Sequence, residues 1–213
     1  MQTIADIRKE YMMQSLLEKD VGADPILQFT KWWDDAVKSE IAEINAMTLA
    51  TASPTGVPAA RIVLLKDYSA EGFVFFSNYE SHKGKELREN PQACLVFFWK
   101  ELERQVRITG SVEKISASAS DEYFSSRPRG SQVGAWASPQ SHSIANREII
   151  EERSAQYQQQ FGDTVIPRPA FWGGYIVKPT IIEFWQGRPN RLHDRIQYTL
   201  QEKGEWGMER LAP

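Results

Sequence analysis

The sequence predicts a mainly β protein with helical decorations, an antiparallel barrel around one core. Three observations lead there. From residue 46 onward, apolar stretches of strand length alternate with turn residues: "AMTLATAS", "VPAARIVLLKDY", "GFVFFSN", "ACLVFFW" and "RQVRITGSVEKIS". Two consecutive hairpin-like units followed by a longer strand form a meander, which favours antiparallel closure over alternating βαβ units. Neither GxGxxG nor a GxxxxGKS/T pattern occurs, so a dinucleotide fold or a P-loop is unsupported.

Taken in order, residues 3 to 19 carry Ile4, Ile7, Tyr11 and Leu16 at weak amphipathic spacing and predict a polar helix or arm that needs something to dock against. "ADPILQFTKWWDDAVKSEI" predicts a helix capped by Asp24, with Pro25 in its first turn and Ile26, Phe29, Trp33, Val37 and Ile41 facing the core. The strands follow, interrupted by a helical "KGKELREN", and a short helix is expected near 117 to 125. "SSRPRGSQVGAWASPQS" is rich in Pro, Gly and Ser and reads as a loop, of a length usually reserved for function or disorder. A polar helix from Ser143 to about Phe161 comes next, then strands at "YIV", "IIEFW", "RLHDRIQYTL" and Trp206 to Leu211. Residues 1–22 are thus expected to form an arm, and residues 23–213 one domain.

Composition excludes several classes. With 213 residues and 41% hydrophobic content, the chain can bury a full core. A net charge of −3 argues against a protein that coats nucleic acid, so any bound anion must be met by a local cluster. The single cysteine, Cys94, excludes an internal disulfide and a cysteine-rich metal site, and its apolar surroundings predict a buried thiol. No stretch approaches the ~20 apolar residues of a membrane span, and "MQTIADIRKEYMMQ" lacks the apolar middle of a secretory signal, so a cytoplasmic protein is expected. HExxH and GxSxG are absent and His82, His142 and His193 lie far apart, so no metal or serine-triad chemistry is expected.

What remains is cationic. Arg61 and Lys66 bracket four apolar residues in "RIVLLK", which would set a cation at each end of a buried strand. Lys83, Arg104, Arg107, Arg127, Arg129, Arg191 and Arg195 sit in other strands and loops, accompanied by hydroxyls at Ser77, Ser81, Ser131 and Ser141. Arginine forks and ammonium groups are the usual partners of phosphate; solvated surface cations are the plain alternative. In "NRLHDR", Arg191, His193 and Arg195 are spaced by two and would share one face of an extended strand, either a binding face or a solvated edge. Tyr123, Arg127 and Ser131 are four apart, but Pro128 and Gly130 oppose a helix beyond Arg127 and favour a loop around an anion. A cofactor with its own chemistry would explain phosphate-binding groups without a nucleophile motif.

The ordered set "RIVLLK", "FVFFSNYESHKG", "ERQVRITG", "YFSSRPRGSQVGAWASPQS", "FWGGY" and "IEFWQGRPNRLHDR", closing on "RLAP", resembles the pyridoxamine 5′-phosphate oxidase family, the FMN enzymes of vitamin B6 metabolism. The resemblance runs from "IRKEY" to the last residue. It implies a homodimer of FMN-binding split β-barrels with FMN at the subunit interface. Arg61, Ile62, Val63, Leu64, Leu65 and Lys66 would line the FMN site with Phe76, Ser77, His82, Lys83, Gln105, Gln140, Ser141, Trp185 and Arg195. Lys66, Tyr123, Arg127 and Ser131 would hold the substrate's phosphate. Arg191, Leu192 and His193 would meet its ring, with Arg191 packed over the ring and His193 orienting it or moving a proton. Arg8, Lys9, Glu10 and Tyr11 would cover the bound substrate.

The implied reaction transfers a hydride from C4′ of pyridoxamine or pyridoxine 5′-phosphate to flavin N5, yielding pyridoxal 5′-phosphate, with O2 reduced to H2O2. Two positions depart from the family pattern: His82 and Ile176 stand where arginine is usual. A neutral imidazole offers less charge to the FMN phosphate than arginine does. Two rivals remain: a nicotinamide-using flavin reductase, which would not need a second phosphate site, and a carrier that binds FMN or pyridoxal phosphate without turnover.

Overall fold

The computed structural model describes residues 10–213. The meander becomes nine strands: β1 (Ala46–Ala52), β2 (Pro58–Leu64), β3 (Asp67–Ser69), β4 (Gly72–Asn78), β5 (Gln92–Trp99), β6 (Arg104–Lys114), β7 (Trp172–Gln186), β8 (Asp194–Leu200) and β9 (Trp206–Leu211). They form one antiparallel sheet in the order β2-β1-β5-β6-β7-β4-β3, with β8 and β9 continuing from β7. The sheet curls into a half-barrel, and beyond the end of β2 the Lys66 N–H donates to the Val74 carbonyl of β4 at 2.9 Å.

Alternation places one face of β1, β4, β5, β6, β7 and β8 in the core. Met47, Leu49, Phe73, Phe75, Leu95, Phe97, Val106, Ile108, Ile182, Phe184, Ile196 and Tyr198 are all buried. Helix α1 (Pro25–Lys38) plugs this core; the Asp24 carboxylate accepts from the N–H groups of Ile26 and Leu27, and Pro25 opens the first turn. Its inward face is the expected one except at Val37, which is 51% exposed: Phe29 is buried, Ile26, Trp33 and Ile41 pack against the core, and Trp32 and Ala36 are buried beside them. Trp32 widens this face, meeting Phe184 edge-on at 5.2 Å and carrying the Arg104 guanidinium over its ring at 4.5 Å.

The two strands expected at "YIV" and "IIEFW" are one, β7, running straight through Pro179. A register shift at Thr109/Gly110 accommodates this proline, which cannot donate to the ladder. Only glycine fits at position 110, since a Cβ there would lie 1.9 Å from the Lys178 carbonyl oxygen. Strand β2 is a sheet edge rather than a buried strand, with Ile62 65% exposed. Cys94 is half-buried.

Helix α2 (His82–Glu89) is capped by Ser81, and α3 (Ala117–Ser126) by Ser116. The stretch expected to be a loop contains helix α4 (Arg129–Ala137). Tertiary contacts override its Gly and Pro content: the Gln132 amide donates to the carbonyls of Phe124, Ser125 and Arg127, closing the end of α3, while Trp136 packs on Tyr157 and Phe161 of α5 (Glu148–Phe161). Helix α5 begins later than expected, at Glu148.

Residues 10–17 are not helical. Their amide donors are taken by carboxylates from elsewhere: Met12 and Met13 N–H donate to Glu103 Oε2 at 2.9 and 3.1 Å, and Leu16 N–H to Asp194 Oδ2 at 3.0 Å. Arg210 then ties Glu18 to Asp194, and its guanidinium holds the Glu18 carboxyl down to about 2. Ile4 and Ile7 lie outside the described residues. Among the described residues, no helix is long and apolar enough to cross a membrane.

Candidate active site

A cavity of about 500 Å³ opens where β2 faces β4 and the α3–α4 corner. It is lined by Arg61, Ile62, Val63, Leu64 and Lys66, by Phe76 and Ser77 of β4, by Lys83 of α2, and by Tyr123, Arg127, Pro128, Ser131, Gln140 and Trp172. Four cations converge, and among the described residues no carboxylate lines the cavity. Glu86 stands behind it, buried, accepting from Arg61 at 3.3 Å and from the Thr51 hydroxyl at 2.6 Å.

Lys83 and Arg127 meet neutral groups instead. Lys83 Nζ donates to Ser77 Oγ at 3.1 Å and to Gln140 Oε1 at 2.9 Å; burial, and then the Arg61 charge, lower its pKa. Arg127 has an extended backbone, as the proline after it requires, and its guanidinium lies 4.6 Å over Trp172 and 5.7 Å over Phe124. Arg127 Nη1 is buried without a hydrogen-bond partner, and burial lowers the group's pKa against the pull of Tyr123. A buried donor left open beside uncompensated cations is the signature of a site that completes itself with an anion. Aromatic rings floor the cavity: Phe76 stacks on Tyr123 at 3.9 Å and on Trp172 at 5.4 Å.

The remaining site residues form a second cluster on β6, β7 and β8. Gln105 pairs with Trp185, and Trp185 with Arg195, so the three share one face in one row. In the next row, the buried Glu183 carboxylate accepts from both Arg107 and Arg195, the latter at 2.8 Å from Nε. The His193 ring lies 4.5 Å from Trp185, and Tyr11 sits edge-on to Trp185 at 5.8 Å and to His193 at 6.0 Å.

"NRLHDR" is not the extended strand its spacing suggested. Pro189–Arg191 is a 3-10 turn with Asn190 and Arg191 at φ 56° and 62°, and β8 begins only at Asp194. Arg191 and His193 therefore do not share a strand face with Arg195. His193 Nδ1 accepts the Arg188 N–H at 3.1 Å, which assigns the neutral ring's proton to Nε2. Burial first, and Arg191 second, lower the His193 pKa.

Several expected residues stand apart from the cavity. Leu65 turns into the core. The His82 side chain is 67% exposed at the start of α2, with Nδ1 3.7 Å from Glu86 Oε1. Ser141 follows Gln140 with φ 69°, and Glu10 and Leu192 are exposed. Arg8 and Lys9 lie outside the described residues. Sequence reasoning overlooked Glu183, although a lone acid within "IIEFW" is the signal of a buried, paired carboxylate. It also passed over Trp172 as a cavity residue.

The chain matches two family models and is similar to curated proteins and solved structures. A family model described as pyridoxamine 5′-phosphate oxidase matches residues 33–161, and one described as the pyridoxine 5′-phosphate oxidase C-terminal dimerisation region matches residues 172–213. The chain is 56% identical to a pyridoxine/pyridoxamine 5′-phosphate oxidase of Nostoc sp. over 211 residues, covering 99% of both chains. It is 56% identical to one of Ralstonia pickettii over 213 residues, covering 100% of both. Among solved structures it resembles PhzG from Burkholderia lata, bound there to tetrahydrophenazine-1-carboxylic acid (TM-score 0.87, 28% identity, 93% and 98% coverage). A pyridoxamine 5′-phosphate oxidase-related, FMN binding protein from Nostoc punctiforme shares the fold (TM-score 0.71, 17% identity, 91% and 100% coverage).

Proposed function

The chain belongs to the pyridoxamine 5′-phosphate oxidase family and is an oxidoreductase of that kind; from that premise we propose that it oxidises pyridoxamine and pyridoxine 5′-phosphates to pyridoxal 5′-phosphate, using FMN and O2 and releasing H2O2, with water consumed and ammonia released when the substrate is the amine. The observation that carries this reading is the four-cation cavity with its open Arg127 donor, which suits two phosphates better than one. Arg61, Lys83, Ser77 and Gln140, with Ser141 and His82 beside them, would hold the FMN phosphate, and the β2 segment through Leu65 would run along the flavin. Lys66, Tyr123, Arg127 and Ser131 would hold the substrate phosphate. FMN would supply the hydride acceptor and pass the electrons to O2.

The match to a C-terminal dimerisation region supports a homodimer. We place FMN at that interface because the cavity lining contains none of Gln105, Trp185, Arg191, His193 and Arg195, so a partner copy has to bring them. The exposed Ile62 and Leu64 of β2 would be covered by the same contact. Arg191 would pack over the substrate ring. His193, neutral, would present Nε2–H to it. Residues 1–22 would act as an arm over the site, with Tyr11 excluding water, and 23–213 as the domain beneath. Orientation of two bound rings can itself contribute several kcal/mol.

The test is an aerobic assay of FMN-loaded protein with each phosphate, following aldehyde and peroxide together. Equal yields, lost in Arg191→Ala, would support the assignment. FMN binding without turnover on either substrate would instead make the protein a carrier.

A further inference from the structure

Arg127 is held differently from the other strongly anchored arginines. Arg61 has Glu86, Arg104 has Asp35, Arg168 has Asp121, and Arg107 and Arg195 share Glu183. Among the described residues no carboxylate pairs with Arg127. Its position comes from the faces of Trp172 and Phe124, at 4.6 and 5.7 Å, and from the extended backbone before Pro128.

We propose that Trp172 is the positioning residue that gives this site its specificity for a phosphorylated substrate, by fixing the Arg127 guanidinium through its π face and leaving the in-plane N–H donors unspent. The inference rests on the phosphate reading above. A carboxylate in that role would occupy the donors and neutralise the charge, and a phosphate would have to displace it. An aromatic face attracts the cation electrostatically yet takes no hydrogen bond in the guanidinium plane. Nη1 is the visible result: buried and without a partner.

Trp172 is itself immobilised. Its carbonyl accepts from Arg168 Nη1 at 2.6 Å, its N–H donates to the Pro169 carbonyl at 3.0 Å, and it begins β7 opposite Asn78. The stack continues through Phe76 to Tyr123, nearly parallel to Trp172 at 5°. Two groups assigned to the substrate phosphate, Arg127 and Tyr123, are therefore tied to one aromatic layer.

The experiment compares wild type, Trp172→Phe, Trp172→Leu, Arg127→Ala and the Trp172→Leu/Arg127→Ala double variant as FMN-loaded enzymes, with pyridoxamine 5′-phosphate and with pyridoxamine. FMN stoichiometry and Tm report that each variant is folded. Trp172→Leu is expected to raise KM for the phosphorylated substrate about tenfold with kcat retained. The ratio of kcat/KM for pyridoxamine 5′-phosphate to that for pyridoxamine should fall by the same factor, and Trp172→Phe should restore most of the loss. On the Arg127→Ala background, Trp172→Leu should add nothing. An equal loss on both substrates, or additive losses in the double variant, would overturn the proposal. If wild type itself fails to favour the phosphorylated substrate, the phosphate reading falls instead. Should Trp172→Leu fail to load FMN, the Trp172→Phe variant carries the test, with a partial, phosphate-specific rise in KM expected and an unchanged KM counting against the proposal.

Discussion

Arg195 Nε donates to Glu183 Oε1 at 2.8 Å, across the β7–β8 pair, while the same carboxylate also receives Arg107 from β6. One buried acid therefore aims two arginines that belong to different strands. Glu183→Gln would leave both cations uncompensated, and should lower stability by about 2 kcal/mol, since each arginine is partly solvated. A thermal scan should show Tm down by about 4–8 °C. Flavin fluorescence titration should show weaker FMN binding, by about tenfold, if Arg195 meets the cofactor. An unaltered FMN Kd would remove Arg195 from that site.

The pKa of His193 lies below its ordinary value of 6.5, chiefly through burial and secondarily through Arg191. A lowered folded-state pKa means that the unfolded chain takes the proton first. The contribution to stability is thus full above the unfolded pKa and shrinks as pH falls through and below it. An NMR titration should place the His193 midpoint under 6.5, with only part of the shift removed by Arg191→Ala. The acid limb of kcat/KM should follow the same midpoint.

Gly187 supports the arm from below: a Cβ there would lie 2.7 Å from Cβ and Cγ of Tyr11. Gly187→Ala should push Tyr11 away from Trp185 and His193, raising substrate KM about fivefold while the barrel stays intact. Amide exchange at Met12 and Met13 should accelerate in the same variant. Protection there equal to wild type would show that the arm is anchored by Glu103 and Asp194 alone.

His82 occupies the first turn of α2, beside the cavity but outside its lining, with Glu86 as its nearby acid. A guanidinium offers a phosphate a permanent charge and a bidentate fork that an imidazole lacks. His82→Arg should therefore tighten FMN binding about threefold, the scale of an exposed ion pair. An unchanged FMN Kd would mean that position 82 does not meet the phosphate.

The strand-length apolar runs, the Asp24–Pro25 helix start and the cations of "RIVLLK" were legible in the chain because alternation, capping and charge are local properties. The family was legible because long motifs kept their order. Other features depended on tertiary packing or on single backbone conformations. Gln132 and Trp136 made a helix of a Pro- and Gly-rich stretch, Trp32 widened the inward face of α1, and left-handed Asn190 and Arg191 broke the expected strand. Register across β6, β7 and β8 set Gln105, Trp185 and Arg195 in one row, away from the cation cavity. Periodicity along a chain says which face a side chain takes; only the pairing of strands and the closing of the sheet decide which faces meet.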